Sequence, residues 1–351
     1  MPAPARHVLG GVDTHAATHH AAVIDRSGRL LDSREFPATP TGYTQLLNWM
    51  RSKGQLDAVG IEGTGAYGAG LARHVAGQDV TVIEVPRPDR RLRRQHGKSD
   101  PIDAEAAARA VLAGTATVQP KLATGPVEAI RALRIARNGA IKAKTAATNA
   151  LHAMVITAPE PLRTQLRGTS SAKLVRACLK LRPDLDRLDD PTQALKLALR
   201  SIARRAAALA VEARELENRL VSLTQAAAPA TTAIFALGPD TAGALLVSAG
   251  DNPDRLRSEA AFARLCGAAP IPASSGKTRR HRLHRGGDRS ANRALHIAIV
   301  VRLRYCERTK TYVARRTAEG LSKPEIIRCL KRYLIREVFT AVRADYAALT
   351  A

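Results

Sequence analysis

His7-Val8-Leu9-Gly10-Gly11-Val12-Asp13 is an apolar run that ends in an acid, and reading it as a buried strand decides the fold. Working outward, His20-Ala21-Ala22-Val23-Ile24-Asp25 follows after a short turn. Arg26-Ser27-Gly28 then reads as a hairpin turn into Arg29–Phe36. Residues 41–53, with Leu46, Leu47, Trp49 and Met50, have the spacing of a helix. Asp57-Ala58-Val59-Gly60-Ile61-Glu62 is a second buried strand ending in an acid. Gly63-Thr64-Gly65-Ala66-Tyr67-Gly68 leads from it into a helix through Leu71 and Val75, which Gly77-Gln78-Asp79 closes. Val80–Val85 is another short apolar strand. Gly63-Thr64-Gly65 lacks the spacing of a phosphate-cradling loop.

Three antiparallel strands followed by helix, strand, helix, strand is the order of a ribonuclease-H-like α/β fold. Open α/β sheets carry their sites at the carboxyl ends of strands, where Asp13 and Glu62 stand. Gly97-Lys98-Ser99-Asp100-Pro101-Ile102-Asp103-Ala104-Glu105 adds two carboxylates three residues apart at the start of a helix. Pro101 suits the first helical position, so Asp100 is expected as the N-cap with Asp103 on the same helix end. Two readings stay open: acids capping a helix dipole, or acids completing a site with Asp13 and Glu62. Four clustered carboxylates repel one another unless cations neutralise them. Mg²⁺, hard and oxygen-liganded, is the expected cofactor, and two such ions ~4 Å apart clamp a phosphoryl transfer.

The chain has 351 residues, room for two or three domains, and a formal charge of +24 from 55 basic and 31 acidic residues. A chain this basic meets a polyanion, with nucleic acid first and an anionic membrane surface second. The run Arg87, Arg90, Arg91, Arg93, Arg94 and Lys98, just before the acidic pair, suits phosphate contacts better than a merely solvated face. No apolar run approaches the ~18 residues of a membrane span, and the N-terminus lacks the apolar segment of a signal peptide. Cys178, Cys266, Cys306 and Cys329 have no C-x-x-C spacing and read as thiols of a reducing cytoplasm. Aromatic residues are 3% of the chain, which argues against a base-stacking platform.

Residues 123–227 change character, being Ala-, Leu- and Arg-rich and helical in pattern. Leu195, Leu199, Ile202, Ala206, Leu209, Ala213, Leu216, Leu220 and Leu223 alternate spacings of four and three. That pattern is either a coiled-coil seam joining protomers into a dimer or higher assembly, or a helix packed in cis. Beyond Ala228-Pro229-Ala230, Leu237-Gly238-Pro239-Asp240-Thr241 reads either as a helix-hairpin-helix turn offering Gly238 to a phosphate or as an ordinary helix boundary. Ser274-Ser275-Gly276 then lies among Lys277, Arg279, Arg280, Arg282, Arg285, Arg289 and Arg293. A serine attacking a phosphodiester needs such positive charge on the nonbridging oxygens, although Ser-Ser-Gly is also an ordinary loop tripeptide. The tail from Ala294 is amphipathic helix. The domain division read from the chain is 1–122, 123–227 and 228–351.

Gly11-Val12-Asp13-Thr14-His15, Ile61–Gly68 and Lys98–Ala104 resemble the three blocks of the DEDD transposases of the insertion sequence 110 family. The Pro-rich, Ser-Gly, basic and Asn292-Arg293-Ala294-Leu295 stretches resemble that family's C-terminal domain. The resemblance implies a RuvC-like N-terminal domain, a helical coiled-coil middle and a mainly helical C-terminal transposase domain. It implies that Asp13, Glu62, Asp100 and Asp103 bind metal, and that the serine before Gly276, Ser275, is a nucleophile joining covalently to DNA. It implies donor and target DNA, a structured noncoding guide RNA and a homo-oligomer as partners. Gly286-Gly287-Asp288 departs from a common form of the pattern, a basic residue, Gly and Asn. The alternatives are a metal-dependent junction nuclease without serine chemistry and a noncatalytic nucleic-acid-binding protein.

Overall fold

The computed structural model describes residues 6–86, 99–276 and 280–350. Its N-terminal part is a mixed α/β sheet and its later part is mostly helical. Strands β1 (His7–Thr14), β2 (Thr18–Asp25) and β3 (Leu30–Pro37) form an antiparallel meander. β4 (Gln55–Glu62) and β5 (Thr81–Val85) add in parallel on the other side of β1, giving the order β3-β2-β1-β4-β5. All five expected strands are present, each within two residues of its expected bounds. The helix expected at 41–53 is α1 (Pro40–Ser52), started by Thr39, whose Oγ1 accepts from the Gly42 amide at 3.1 Å. The helix through Leu71 and Val75 is α2 (Ala69–Ala76). Asp79 takes the left-handed φ of 57° that turns the chain into β5.

Alternation along β1 sends Gly10 and Val12 to one face and Gly11 and Asp13 to the other. The first face carries the larger core: Val12, Val23, Leu46, Leu47, Met50, Ile61, Leu71 and Val75 are buried beneath α1 and α2. The second face is covered by α3 (Asp100–Leu112), through Ala104, Ala107 and Ala108. α3 lies close because the sheet offers glycines there. A Cβ at Gly11 would come within 2.1 Å of the Ala104 carbonyl, and one at Gly60 within 2.8 Å of the Ala107 carbonyl.

The chain divides into two compact units, residues 1–128 with 245–351, and residues 129–244. This cut differs from the three consecutive segments read along the sequence. The boundaries fall inside α4 (Gly125–Ile156) and, after α5 (Leu162–Leu166), α6 (Ser171–Leu179), α7 (Pro191–Ala227) and α8 (Pro229–Thr232), inside α9 (Pro239–Ala249). In the 129–244 unit the first part of the α7 stripe is packed in cis: Leu199 and Ala203 are buried with Leu151, Val155, Leu162, Leu166, Leu174 and Cys178.

In the other unit, segments 117–124 and 247–257 are tied by polar contacts. Asp251 accepts from the amides of Leu122 at 2.9 Å and Thr124 at 2.7 Å, and Lys121 donates to the Val247 carbonyl at 2.7 Å. Arg255 reaches the Glu84 carboxylate at 2.9 Å and the Gln119 carbonyl at 2.5 Å. The chain continues through α10 (Glu259–Leu265), the ribbon of β6 (Ile271–Pro272) and β7 (His281–Arg282), then α11 (Arg289–Tyr305), α12 (Glu307–Ala318) and α13 (Lys323–Thr350). Among the described residues no helix is long and apolar enough to cross a membrane. All four cysteines are free. Cys178 and Cys266 are buried, and burial pushes the Cys178 thiol up to about 11. Cys306 and Cys329 are only half-buried.

Candidate functional site

Asp13 stands near the end of β1 and Glu62 at the end of β4. The parallel register, Val12 opposite Ile61, puts these two strand ends side by side. Asp13 shares its face with Gly11, and Glu62 shares its face with Gly60, so both are on the side that α3 covers. Asp100 and Asp103 occupy the first turn of that same helix. All four carboxylates therefore belong to one sheet face and one end of it. Asp13, Glu62 and Asp103 are buried, and Asp100 is half-exposed.

The N-cap differs from expectation. Ser99 takes that position, with φ −149° and ψ 145°, and makes no side-chain cap bond. Asp100 is the first helical residue and Pro101 the second, and the Asp103 amide closes the turn on the Ser99 carbonyl at 3.1 Å. The reason is that Pro is accommodated anywhere in a first turn, whose amides have no intrahelical partner. Asp100 is thereby free of capping and lies against His15, whose Nε2 is 3.4 Å from Asp100 Oδ1 and 3.2 Å from Asp13 Oδ2. One ligand atom from each of Asp13, His15 and Asp100 lies within 4.8 Å of the others. Two carboxylates and an imidazole at that spacing fit a divalent cation. Sequence reasoning left His15 unassigned. The signal was its place two residues beyond Asp13, where an extended chain returns a side chain to the same face.

The turn after β4 holds Glu62 in place. Gly63 has φ 70°, and the Thr14 hydroxyl donates to the Glu62 carbonyl at 2.8 Å, fastening the ends of β1 and β4 together. Behind the site, on the opposite face, His19 pairs with Thr14 across the strands, is fully buried and stacks on Tyr43 at 5.6 Å. Burial holds its pKa below the ordinary imidazole value. A hydrogen bond with the Thr18 carbonyl and the charge of Asp13 oppose that, while His15 adds to it.

Ser274 and Ser275 follow β6 and are exposed, with Gly276 at φ 56°. Arg280, Arg282, Arg285, Arg289 and Arg293 are exposed around the same ribbon and the start of α11. Lys277 and Arg279, like Arg87, Arg90, Arg91, Arg93, Arg94 and Lys98, lie outside the described residues. Gly287 is explained by packing, since a Cβ there would meet the Gly267 backbone at 2.2 Å. Asp288 caps α11, accepting from Ser290 and Ala291 amides at 2.7 and 3.0 Å. Asn292 ties the Cys266 and Gly267 carbonyls at 3.0 and 2.9 Å and accepts from buried Lys331 at 2.8 Å. These residues tie the Cys266–Gly267 turn to the start of α11. In the other unit, Gly238 is exposed at the start of α9.

Residues 10–158 match the transposase model DEDD_Tnp_IS110, and residues 230–314 match the transposase model of the IS116/IS110/IS902 family. The chain belongs to the IS110 family of transposases. The first IS110 match contains Asp13, Glu62, Asp100 and Asp103, and the second contains Ser275 and the Asn292 scaffold. The chain is also 30% identical over 156 residues to the insertion element IS110 uncharacterized 43.6 kDa protein of Streptomyces coelicolor. That similarity covers 43% of this IS110-family chain and 38% of the Streptomyces protein.

Proposed function

We propose that the protein is a DNA transposase or recombinase that excises and inserts a mobile element by metal-assisted serine attack on DNA phosphodiesters. The observation that carries this is the gathering of Asp13, Glu62, Asp100 and Asp103 on one sheet face, in a chain whose family is transposase. The sheet order β3-β2-β1-β4-β5, with β4 and β5 parallel to β1, supports the ribonuclease-H-like and RuvC-like reading of residues 1–122. Mg²⁺ bound by the four carboxylates would neutralise charge on the scissile phosphate. Ser275 Oγ would then attack phosphorus, the deoxyribose oxygen would leave, and a phosphoserine link to DNA would form. The exposed arginines of residues 228–351 would hold the phosphates during that exchange.

The partners follow from charge and family: donor and target DNA, with a noncoding bridge RNA as guide. A formal charge of +24 supports a polyanion surface larger than one duplex requires. Residues 123–227 would hold protomers together through the exposed side of α7, where Leu197 and Val211 face solvent. Arg87, Arg90, Arg91, Arg93, Arg94, Lys98 and Gly238 complete the proposed nucleic-acid contacts.

The test is a denaturing gel of the protein with flanking RNA, donor and target DNA and Mg²⁺. A covalent protein–DNA adduct is expected in wild type and in Ser274→Ala, and none in Ser275→Ala or Asp13→Ala. Cleaved DNA without an adduct, undiminished in Ser275→Ala, would sink the serine mechanism and favour a metal-only junction nuclease.

A further inference from the structure

The acidic site contains a nitrogen donor that a carboxylate set does not itself require. His15 follows β1, and its Nε2 sits between Asp13 Oδ2 and Asp100 Oδ1, carboxylates brought together from the sheet and from α3. Its side chain is 46% exposed and that of Asp100 42%, while that of Asp13 is 12% exposed, so His15 and Asp100 form the open side of the cluster. The neighbouring histidines are otherwise engaged. His20 is opposite Asp13 across the strands, but its Nε2 is 2.8 Å from Ser33 Oγ. His19 is buried on the other face against Tyr43.

Oxygen-only sets suit Mg²⁺, which dehydrates reluctantly and rarely takes nitrogen. An imidazole ligand shifts preference toward transition ions that accept nitrogen readily. We propose that His15 Nε2 is a ligand of the cation held by Asp13 and Asp100, and that it biases this site toward Mn²⁺ over Mg²⁺. The nitrogen that now lies against both carboxylates turns its lone pair to the ion they share, with the ring proton on Nδ1. The proposal rests on the reading of the acidic set as metal-binding.

The experiment uses the full chain with Mn²⁺ alone as probe. Electron paramagnetic resonance titration gives affinity, and electron spin-echo modulation detects directly coordinated nitrogen. Wild type and His20→Gln should show nitrogen modulation, and His15→Gln should lose it. His15→Gln should also bind Mn²⁺ about tenfold more weakly, on the scale of a lost supporting group at a metal site. Mg²⁺, measured by competition, should weaken by less than Mn²⁺ does. Modulation that persists in His15→Gln, or is absent from wild type whose Mn²⁺ binding Asp13→Asn abolishes, overturns the assignment of His15 and leaves the acidic set standing. Mn²⁺ affinity unchanged in Asp13→Asn, or no binding in wild type, overturns the acidic-set reading beneath it.

Discussion

Asp13 and His19 sit on neighbouring strands but on opposite faces, and each face sets a different chemistry. On the α3 side, Asp13 and Asp100 both lie against His15 Nε2, at 3.2 and 3.4 Å. On the α1 side, His19 is held neutral by an apolar core, with its Nε2 unpaired. The consequence for pH follows from the direction of its shift. The folded pKa lies below the ordinary imidazole value of 6.5, so the unfolded chain takes up a proton first as pH falls. The contribution is intact above 6.5 and is lost as pH drops through the folded value. We expect the urea midpoint to fall between pH 7 and pH 5 in wild type and to fall less in His19→Phe, which keeps the stack on Tyr43. An equal slope in both would refute the burial argument.

Helix α3 is the element on which the site depends, and its approach is decided by what the sheet lacks. Gly11 and Gly60 have no Cβ, and the backbone of α3 fills that space. Its own face is alanine, so helix and sheet meet with little between them. Adding a methyl at Gly11 forces α3 away by more than a side-chain adjustment, because the obstacle is backbone. Gly11→Ala should cost about 1–3 kcal/mol in unfolding free energy, the usual range for overpacking. It should also weaken Mn²⁺ binding, since Asp100 rides on the displaced helix. Gly65→Ala, where a Cβ meets nothing within 4 Å, is the matched control and should do neither. The element scale also explains why the heptad-like stripe of α7 is ambiguous in sequence. Leu199 serves a cis core, and periodicity reports an apolar face without saying what covers it.

At the scale of the whole molecule, chain order and compactness part company. Residues 245–351 belong with residues 1–128, although more than a hundred residues intervene. Asp251 gathers the 117–124 segment through two backbone amides and the Thr124 hydroxyl. Asp251→Ala removes all three bonds and should accelerate limited proteolysis between residues 112 and 125 several-fold, read by mass spectrometry of the first fragments. Cleavage at the wild-type rate would mean that the ion pair of Arg255 with Glu84 suffices to hold the two segments together.

The sequence by itself determined the strands, the two strand-end acids, the acidic first turn of α3 and the family. These are local: apolar runs, period-two alternation, helix-start residues and short motifs are written in consecutive residues. It placed the N-cap one residue late, because a Pro near a helix start does not distinguish the first turn's positions. Only the tertiary structure decided that His15 lies between Asp13 and Asp100, that Gly287 and Asn292 are scaffold, and that 245–351 shares a unit with 1–128. Those facts depend on the approach of segments far apart in the chain, set by missing Cβ atoms and polar ties, and periodicity carries no record of which face meets which.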